Sequence, residues 1–392
     1  MTPNTLLWLI TGCLMLQPLS TDLYLPSLPH LVKDLAVTPA AVQQTLSWFV
    51  AGFGGAQLIS GPLSDRYGRR PVLLAGLAVY ALASLACVLA PTLSLLVGAR
   101  FLQALGCCTA VVVVRTIIRD SYDPTEGARV IAKASSLLSI APLLGPIAGG
   151  YLQVAFGWRA AFVVLFVYGI ILLIAASYHL KETNRAPNPE ATQPGRLMNI
   201  YLSIMRTPAF WAYALPGALS YASIFIFISG SSFVLIQVLR VSTEFYGVLF
   251  AIGVLGYLGG TLICRRRLAT HGIAATLTLG TSVGLAGGLV FLALTLSGLQ
   301  HWSIVVFAQF SIMCAHGFNF PCAQAGSVGP FPHQAGAAAG LFGALSMALA
   351  LAVGIWVAHS YDATVLPLAL TTAVITVTLF IATRLLHRNA KG

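Results

Sequence analysis

Of the ten Asp and Glu residues in this chain, only Asp22 lies well within an apolar run. Asp34, Asp65, Asp120, Asp123, Glu126, Glu182, Glu190, Glu244 and Asp362 fall in polar stretches or at their edges. A carboxylate in hydrocarbon is costly unless it faces a cavity, pairs with a cation or takes up a proton. Asp22 is therefore the leading candidate for a proton-binding residue, against the plainer readings of a static partner or an interfacial acid. Its neighbourhood, Ser20-Thr21-Asp22-Leu23-Tyr24-Leu25-Pro26-Ser27-Leu28-Pro29, carries two prolines, at which a helix must bend or end. A bend would open Asp22 to a central cavity, whereas a simple helix end would leave its role undecided.

Arg100 is the matching cation. It stands about six residues inside another apolar run, roughly 9 Å from the outer face by helical rise, and Asp22 has a comparable depth. An arginine nearby can favour the ionised carboxylate and be released when that group protonates. Gln103, one turn further on, can orient the pair; alternatively Arg100 reaches outward and Gln103 bonds a neighbouring helix. Arg115, at the opposite end of the run, reads as a topological anchor or a gate on the substrate side.

Two further segments suit moving parts. Gly61-Pro62-Leu63-Ser64-Asp65-Arg66-Tyr67-Gly68-Arg69-Arg70-Pro71 reads as a tight loop in which Asp65 and the three arginines form a clasp between helix ends. A simple solvated turn is the alternative. Ala141-Pro142-Leu143-Leu144-Gly145-Pro146-Ile147-Ala148-Gly149-Gly150 combines prolines and glycines that allow both bending and close helix approach, beyond what generic packing asks for.

After residue 208, no acid is embedded. His316 is the clearly embedded histidine, and polar packing is its first reading, with protonation second. Phe225, Phe227, Phe233 and Gln237 on one run, and Asn319, Phe320 and Gln324 on another, are candidates with Tyr24 and His316 for a mixed aromatic and polar cavity suited to amphipathic organic molecules. Cys13, Cys87, Cys107, Cys108, Cys264, Cys314 and Cys322 lack metal-site spacing and read as small buried hydrophobes. No nucleophile and base stand in a recognisable catalytic pattern, so an enzyme is not expected.

The elements that position these residues follow from composition. With 392 residues, 58% hydrophobic side chains, 8% charged ones and a mean hydropathy of +0.87, the chain cannot cover a water-facing exterior. Most of its surface must face membrane lipid. The net charge of +11 comes in short clusters without a basic arm, which argues for topology signals and against a nucleic-acid partner. Apolar segments lie near 6–29, 42–63, 72–90, 94–117, 133–153, 160–179, 209–234, 245–264, 272–294, 302–324, 335–357 and 364–384, twelve in all. The first lacks a basic start and a clear cleavage site, and reads as a retained helix.

With the N-terminus inside, sixteen of the twenty-one Lys and Arg residues fall on the cytoplasmic side, including Arg66, Arg129, Arg265 and Lys391; Lys33, Arg159 and Arg240 fall outside. Both termini are then cytoplasmic. Residues 181–207 carry Pro187, Pro189 and Pro194 among polar residues and read as a cytoplasmic linker between bundles 1–180 and 208–392. The expected fold is an all-α integral membrane protein of two six-helix bundles.

The loop Gly61 to Arg70 resembles the hallmark loop of the major facilitator superfamily, Arg100-Phe101-Leu102-Gln103 its fourth-span motif, and Gly145-Pro146-x-x-Gly149-Gly150 its antiporter motif. With the stretch around Asp22, these look like the Bcr/CflA subfamily of twelve-span drug:proton antiporters. The resemblance implies proton coupling by Asp22, Arg100 and Gln103. It implies gating by Asp65, Arg66, Gly68, Arg69 and Arg70, and state exchange at Gly145, Pro146, Gly149 and Gly150. It further implies a monomer in a bacterial inner membrane, without cofactor, driven by the proton gradient and exporting small amphipathic molecules. Coupled uptake, or export of an endogenous metabolite, is the alternative. Ala104 and Ala141 replace family glycines, and in Gly260 to Arg267, the counterpart of the gate loop, Cys264 stands at the acid position and Arg267 at the later glycine.

Overall fold

A computed structural model describes residues 3–389, apart from 124–125, 128–129, 131–132, 135–137 and 139, and side chains from Leu6 to Leu386. Arg129 and Lys391, and the side chains of His387 and Arg388, which the charge bias places inside, lie outside the described residues. The described residues are all helix and connection, with no strand.

Helix α1 (Pro3–Asp22) is followed by a 3-10 turn (Leu25–Ser27) and α2 (Leu28–Asp34). Next come α3 (Pro39–Tyr67), α4 (Arg69–Leu89), α5 (Leu93–Ser121), α6 (Ile140–Phe156) and α7 (Arg159–His179). A 3-10 turn (Pro189–Thr192) and α8 (Pro194–Met205) lie in the linker; Pro189 and Pro194 begin these elements, where a missing N–H costs nothing. Then follow α9 (Pro208–Ser232) with a π-helical end (Phe233–Val238), α10 (Thr243–Leu296), α11 (Trp302–Val328), α12 (Ala335–Ser360) and α13 (Leu366–Asn389).

Nine helices among the described residues are long and apolar enough to cross a membrane. One of them, α10, has 54 residues, about 80 Å if straight. It folds back at Gly272, whose φ of +73° is open to glycine without strain. The packing register proves the reversal. Gly253 and Gly260 lie against Gln309 and Cys314, so the first arm runs parallel to α11, whereas Gly280, Gly284 and Gly287 meet Phe318, Ala315 and Ser311 in descending order. With these two arms, α3, whose Gly, Ser and Gln dilute its apolar character, and α6, twelve helices cross the membrane, six before the linker and six after it. Large apolar side chains such as Leu82, Leu89, Ile171, Trp356 and Val374 stand exposed where lipid would cover them.

Two expected loops are not loops. Helix α3 continues through Asp65 to Tyr67 and α4 starts at Arg69, leaving Gly68 (φ +98°) as the whole turn. Likewise Arg265, Arg266 and Arg267 are helical, and the second reversal comes not at Arg267 but at Gly272. Arg, Leu and Ala are strong helix formers, so in both places the helix runs on until a glycine permits the turn.

The two sets of six helices meet along two antiparallel seams. In one, Ser47, Gly54 and Gln57 of α3 face Gly354, Met347 and Gly340 of α12. In the other, Gly150 of α6 meets Thr243 and Glu244 of α10, and Gly247 of α10 meets Pro146 and Ile147. The end carrying Arg66, Arg69 and Arg70, cytoplasmic by the charge bias, is called the inner end below. Single cysteines at positions 66 and 179, on a cysteine-depleted background, should label from the cytoplasm and those at 33 and 240 from outside. Labelling of 66 and 240 from one face would contradict the crossing pattern.

Candidate functional site: a broken first helix and an inner gate

The run of α1 ends at Asp22, as Pro26 and Pro29 require. Leu23 N–H still reaches the Leu19 carbonyl at 3.2 Å, but Tyr24 N–H tightens onto Thr21 at 3.3 Å. The Ser20 carbonyl therefore loses its helical donor, and the Arg100 guanidinium supplies one, with Nη1 at 3.0 Å. A cation at a helix C-terminus also sits at the negative end of its dipole. The same Nη1 donates to Gln103 Oε1 at 2.6 Å, and Gln103 Nε2 donates to Ser84 Oγ at 2.8 Å. Arg100 is wholly buried, and its charge lies over the rings of Phe49, Tyr24 and Phe162 at 4.2, 5.3 and 5.6 Å from their centres.

Arg100 and Asp22 are not an ion pair. The ion pairs among the described residues are Arg69–Asp65, Arg69–Asp120 and Arg196–Glu190. Asp22 accepts from Thr21 Oγ1 at 2.9 Å and is 5% exposed. Tyr221 of α9 accepts from Gln17 Nε2 at 3.2 Å, a link from the first helix into the second half of the chain. This tyrosine did not stand out in the sequence, because aromatic residues are common in every span.

The Gly145 to Gly150 segment packs onto this break. A methyl group at Gly145 would lie 3.2 Å from Asp22 Cβ, and Gly149 rests directly on the Leu23 backbone. Gly150 faces the other way, where a Cβ would come within 2.8 Å of the Thr243 carbonyl. The outer end is closed by further contacts between the halves: His30 Nε2 lies 2.9 Å from Thr243 Oγ1, and Ser229 Oγ donates to Gln43 Oε1 at 2.9 Å.

Among the cavity candidates, His316 and Phe320 come together. The His316 ring lies 4.9 Å from Phe320, 6.1 Å from Tyr221 and 5.9 Å from Tyr257, and its Nδ1 is 3.0 Å from Ser220 Oγ. Asn319 is buried against Gly280 of α10 without a hydrogen-bond partner among the described residues, and Gln324 is half-buried. The others lie elsewhere. Tyr24 is core of the first half, its hydroxyl 3.2 Å from Thr45 Oγ1. Phe227 packs on Phe291, Phe233 on Tyr361, and Gln237 accepts from the Tyr361 hydroxyl. Phe225 is buried against Gly354. Aromatic spacing alone does not separate a helix's cavity face from its packing faces.

At the inner end, Arg69 donates to Asp65 at 2.5 Å and to Asp120 of α5 at 2.8 Å, so the clasp joins three helix ends of the first half. Arg66 reaches Thr192 of the linker, and Arg70 the Ser177 carbonyl of α7. Glu182, which sequence reasoning left in the linker, joins this cluster. It accepts the N–H groups of Arg69 and Arg70, capping α4 across 2.9 and 3.1 Å, and those of Thr183 and Asn184. A Cβ at Gly68 would meet Glu182 Oε2 at 2.6 Å, so the turn needs glycine for space as well as for φ. Burial works against the Glu182 charge, but the four backbone donors outweigh it and hold the carboxyl below its usual range. The cap is therefore fully present above the ordinary glutamate pKa and lost only as pH falls through the lowered value.

Between the halves at this inner end lies a cavity of about 470 Å³, lined among others by Asp65, Arg115, Arg119, Tyr201, His333 and Gly336. The state described is thus closed at the outer end, with a cavity at the inner end.

Comparison with known proteins agrees with this architecture. The chain belongs to the Major Facilitator Superfamily, whose sequence signature matches residues 10–355. It is a transporter that works by alternating access. It is 30% identical to the uncharacterized MFS-type transporter YdgK of Bacillus subtilis, over 85% of this chain and 83% of that one. It is 26% identical to a bicyclomycin resistance protein homolog of Haemophilus influenzae (94% and 93%) and 30% identical to multidrug resistance protein D of Escherichia coli (83% and 82%). In structure it is similar to the human organic anion transporter MFSD10, with a TM-score of 0.74 at 17% identity over 98% of this chain and 100% of that one. It is also similar to the peptide transporter POT, at 0.78 and 14% over 98% and 94%.

Two substitutions test these contacts. Gly150→Ala should overpack the outer seam by about 1–3 kcal/mol in the closed state only, so a cysteine placed at buried Ser231 becomes more reactive to an external thiol reagent; unchanged labelling would contradict the seam. Glu182→Ala should destabilise the protein by about 1 kcal/mol, the worth of a helix cap, while Glu182→Gln, which keeps one acceptor oxygen, loses less. Unfolding in detergent at neutral pH measures both, and equal stability of all three proteins would contradict the cap.

Proposed function

We propose that this protein exports small amphipathic organic molecules, drugs among them, in exchange for protons, and that Asp22 takes the coupled proton. The observation that carries the reading is Asp22 itself: a buried acid at a helix break, without a cation partner among the described residues, on the helix whose Gln17 bonds Tyr221 of the other half of the chain. Arg100 and Gln103 hold the break that presents it, and so act on Asp22 through the α1 backbone. The resistance proteins among the relatives, and the likeness to Bcr/CflA antiporters carried by the Gly145 to Gly150 segment, favour export over uptake.

Residues 1–180 and 208–392 act as two bundles that rock about the central site, joined by the linker 181–207. From the cytoplasmic side, the substrate reaches Gln17, Tyr221, His316 and Phe320, where aromatic faces and a few polar groups suit an amphipathic molecule. Its arrival beside Asp22 favours proton release by competition for the same space, and the outward-facing state lets the substrate leave and the proton return. Asp65, drawn toward the N-terminus of α12 at Gly336 when the inner cavity closes, would secure that state as a carboxylate at a helix start. The protein works as a monomer in a bacterial inner membrane with both termini cytoplasmic, and needs the proton gradient and no cofactor.

In reconstituted vesicles, Asp22→Asn should abolish transport driven by an imposed pH gradient while leaving expression and folding intact, and Asp22→Glu should keep part of it. Gradient-driven transport at the wild-type rate by folded Asp22→Asn would overturn the assignment.

A further inference from the structure

Pro62 stands inside α3, where it has no N–H to offer the carbonyl four residues back. That carbonyl belongs to Leu58, and the Tyr201 hydroxyl donates to it at 2.7 Å. Tyr201 is on α8, which is built onto the second half of the chain. Ile204 of α8 is fully buried in a cluster with Phe210, Ala338 and Phe342, and the Trp211 indole N–H donates to the Met205 carbonyl at 2.7 Å. The bond therefore crosses between the two halves at the inner end. It lies along the helix from Gln57, whose neighbours on α12 are Gly340 and Gly343. Pro62 and Tyr201 both line the inner cavity.

We propose that Tyr201 is a latch of the transport cycle: its hydroxyl stabilises the outer-closed state by occupying the Leu58 carbonyl that Pro62 frees. A tyrosine suits this role because its hydroxyl sits on a rigid apolar body, so one rotation-limited contact ties a helix of one half to a helix of the other. As the outer end opens and the inner cavity closes, α8 shifts along α3 with the second half, which draws the hydroxyl off the Leu58 carbonyl and breaks the bond. The difference between paired and solvated carbonyl is one net hydrogen bond, small enough to be reversed in every cycle and large enough to set the balance of states. Tyr201 touches neither proton nor substrate here; it is a positioning residue, and the inference rests on alternating access, not on the choice of substrate or ion.

The test compares Tyr201→Phe with the parent protein, both carrying spin labels at Lys33 and Leu299, exposed outer positions in the two halves. The ratio of outer-open to outer-closed molecules, read from the distance distribution, should rise about threefold to tenfold, with the thermal unfolding midpoint unchanged. In a Pro62→Ala background, the backbone N–H restored by the substitution bonds the Leu58 carbonyl itself, so Tyr201→Phe should produce little further shift. An unchanged distribution in Tyr201→Phe overturns the proposal, as does a fall in midpoint without a shift, or an equal shift in the Pro62→Ala background. If Pro62→Ala does not fold, the comparison of Tyr201→Phe with its parent decides alone.

Discussion

Inside a membrane, a backbone carbonyl or amide that loses its helical partner must find another, because no solvent is there to take it. The break after Asp22 frees the Ser20 carbonyl, and the wholly buried Arg100 bonds it. That bond fixes much else. Arg100 is held by Gln103 and by three aromatic rings, Gln103 by Ser84, and the turn at Leu23 becomes the surface on which Gly149 rests. The same rule operates at the inner end, with less depth and more water. Pro62 frees a carbonyl that Tyr201 bonds, and the one-residue turn at Gly68 exposes amides that Glu182 caps. Each of these three irregularities is thus matched by a side chain from a different helix or from the linker.

This pattern links conformation to function. A helix break sealed by side-chain bonds is cheaper to rearrange than a packed apolar core, which has no second low-energy arrangement nearby. The seams between the halves are built differently, from glycines that let backbones touch: Gly150 on Thr243, Gly247 on Pro146, Gly54 on Met347. Such surfaces fit closely in one register and offer little resistance to separation, because lipid tails are as apolar as the side chains they replace. Sealed breaks and smooth seams together suit a protein that exchanges two states.

Much of the fold was legible in the sequence, because apolar run length and cationic bias act on every segment alike. The twelve crossings stand close to where those runs end. The turns were harder to see. Arg66 and Arg265 to Arg267 look like loop residues by charge, yet arginine is a good helix former, and the chain turns only where Gly68 and Gly272 allow it. In the site, Asp22 was visible as a singular acid, and Arg100 as a singular cation at matching depth. Their relation was not, since depth along two helices says nothing of which side chain faces which carbonyl. Glu182, Tyr201 and Tyr221 carried no signal of their own. Each matters because of a partner more than a hundred residues away, at Arg69 or Arg70, Leu58 and Gln17 respectively.

The central claim is that one carboxyl group, presented by the broken helix, carries the coupled proton. Proton release on adding a transported drug to the purified, weakly buffered protein tests it without gradient, vesicle or transport rate. The account predicts a release in the wild-type protein that disappears in Asp22→Asn while drug binding, followed in the same sample by the Trp fluorescence change, persists. Release of equal size from the folded Asp22→Asn protein would contradict it and move the proton to another group.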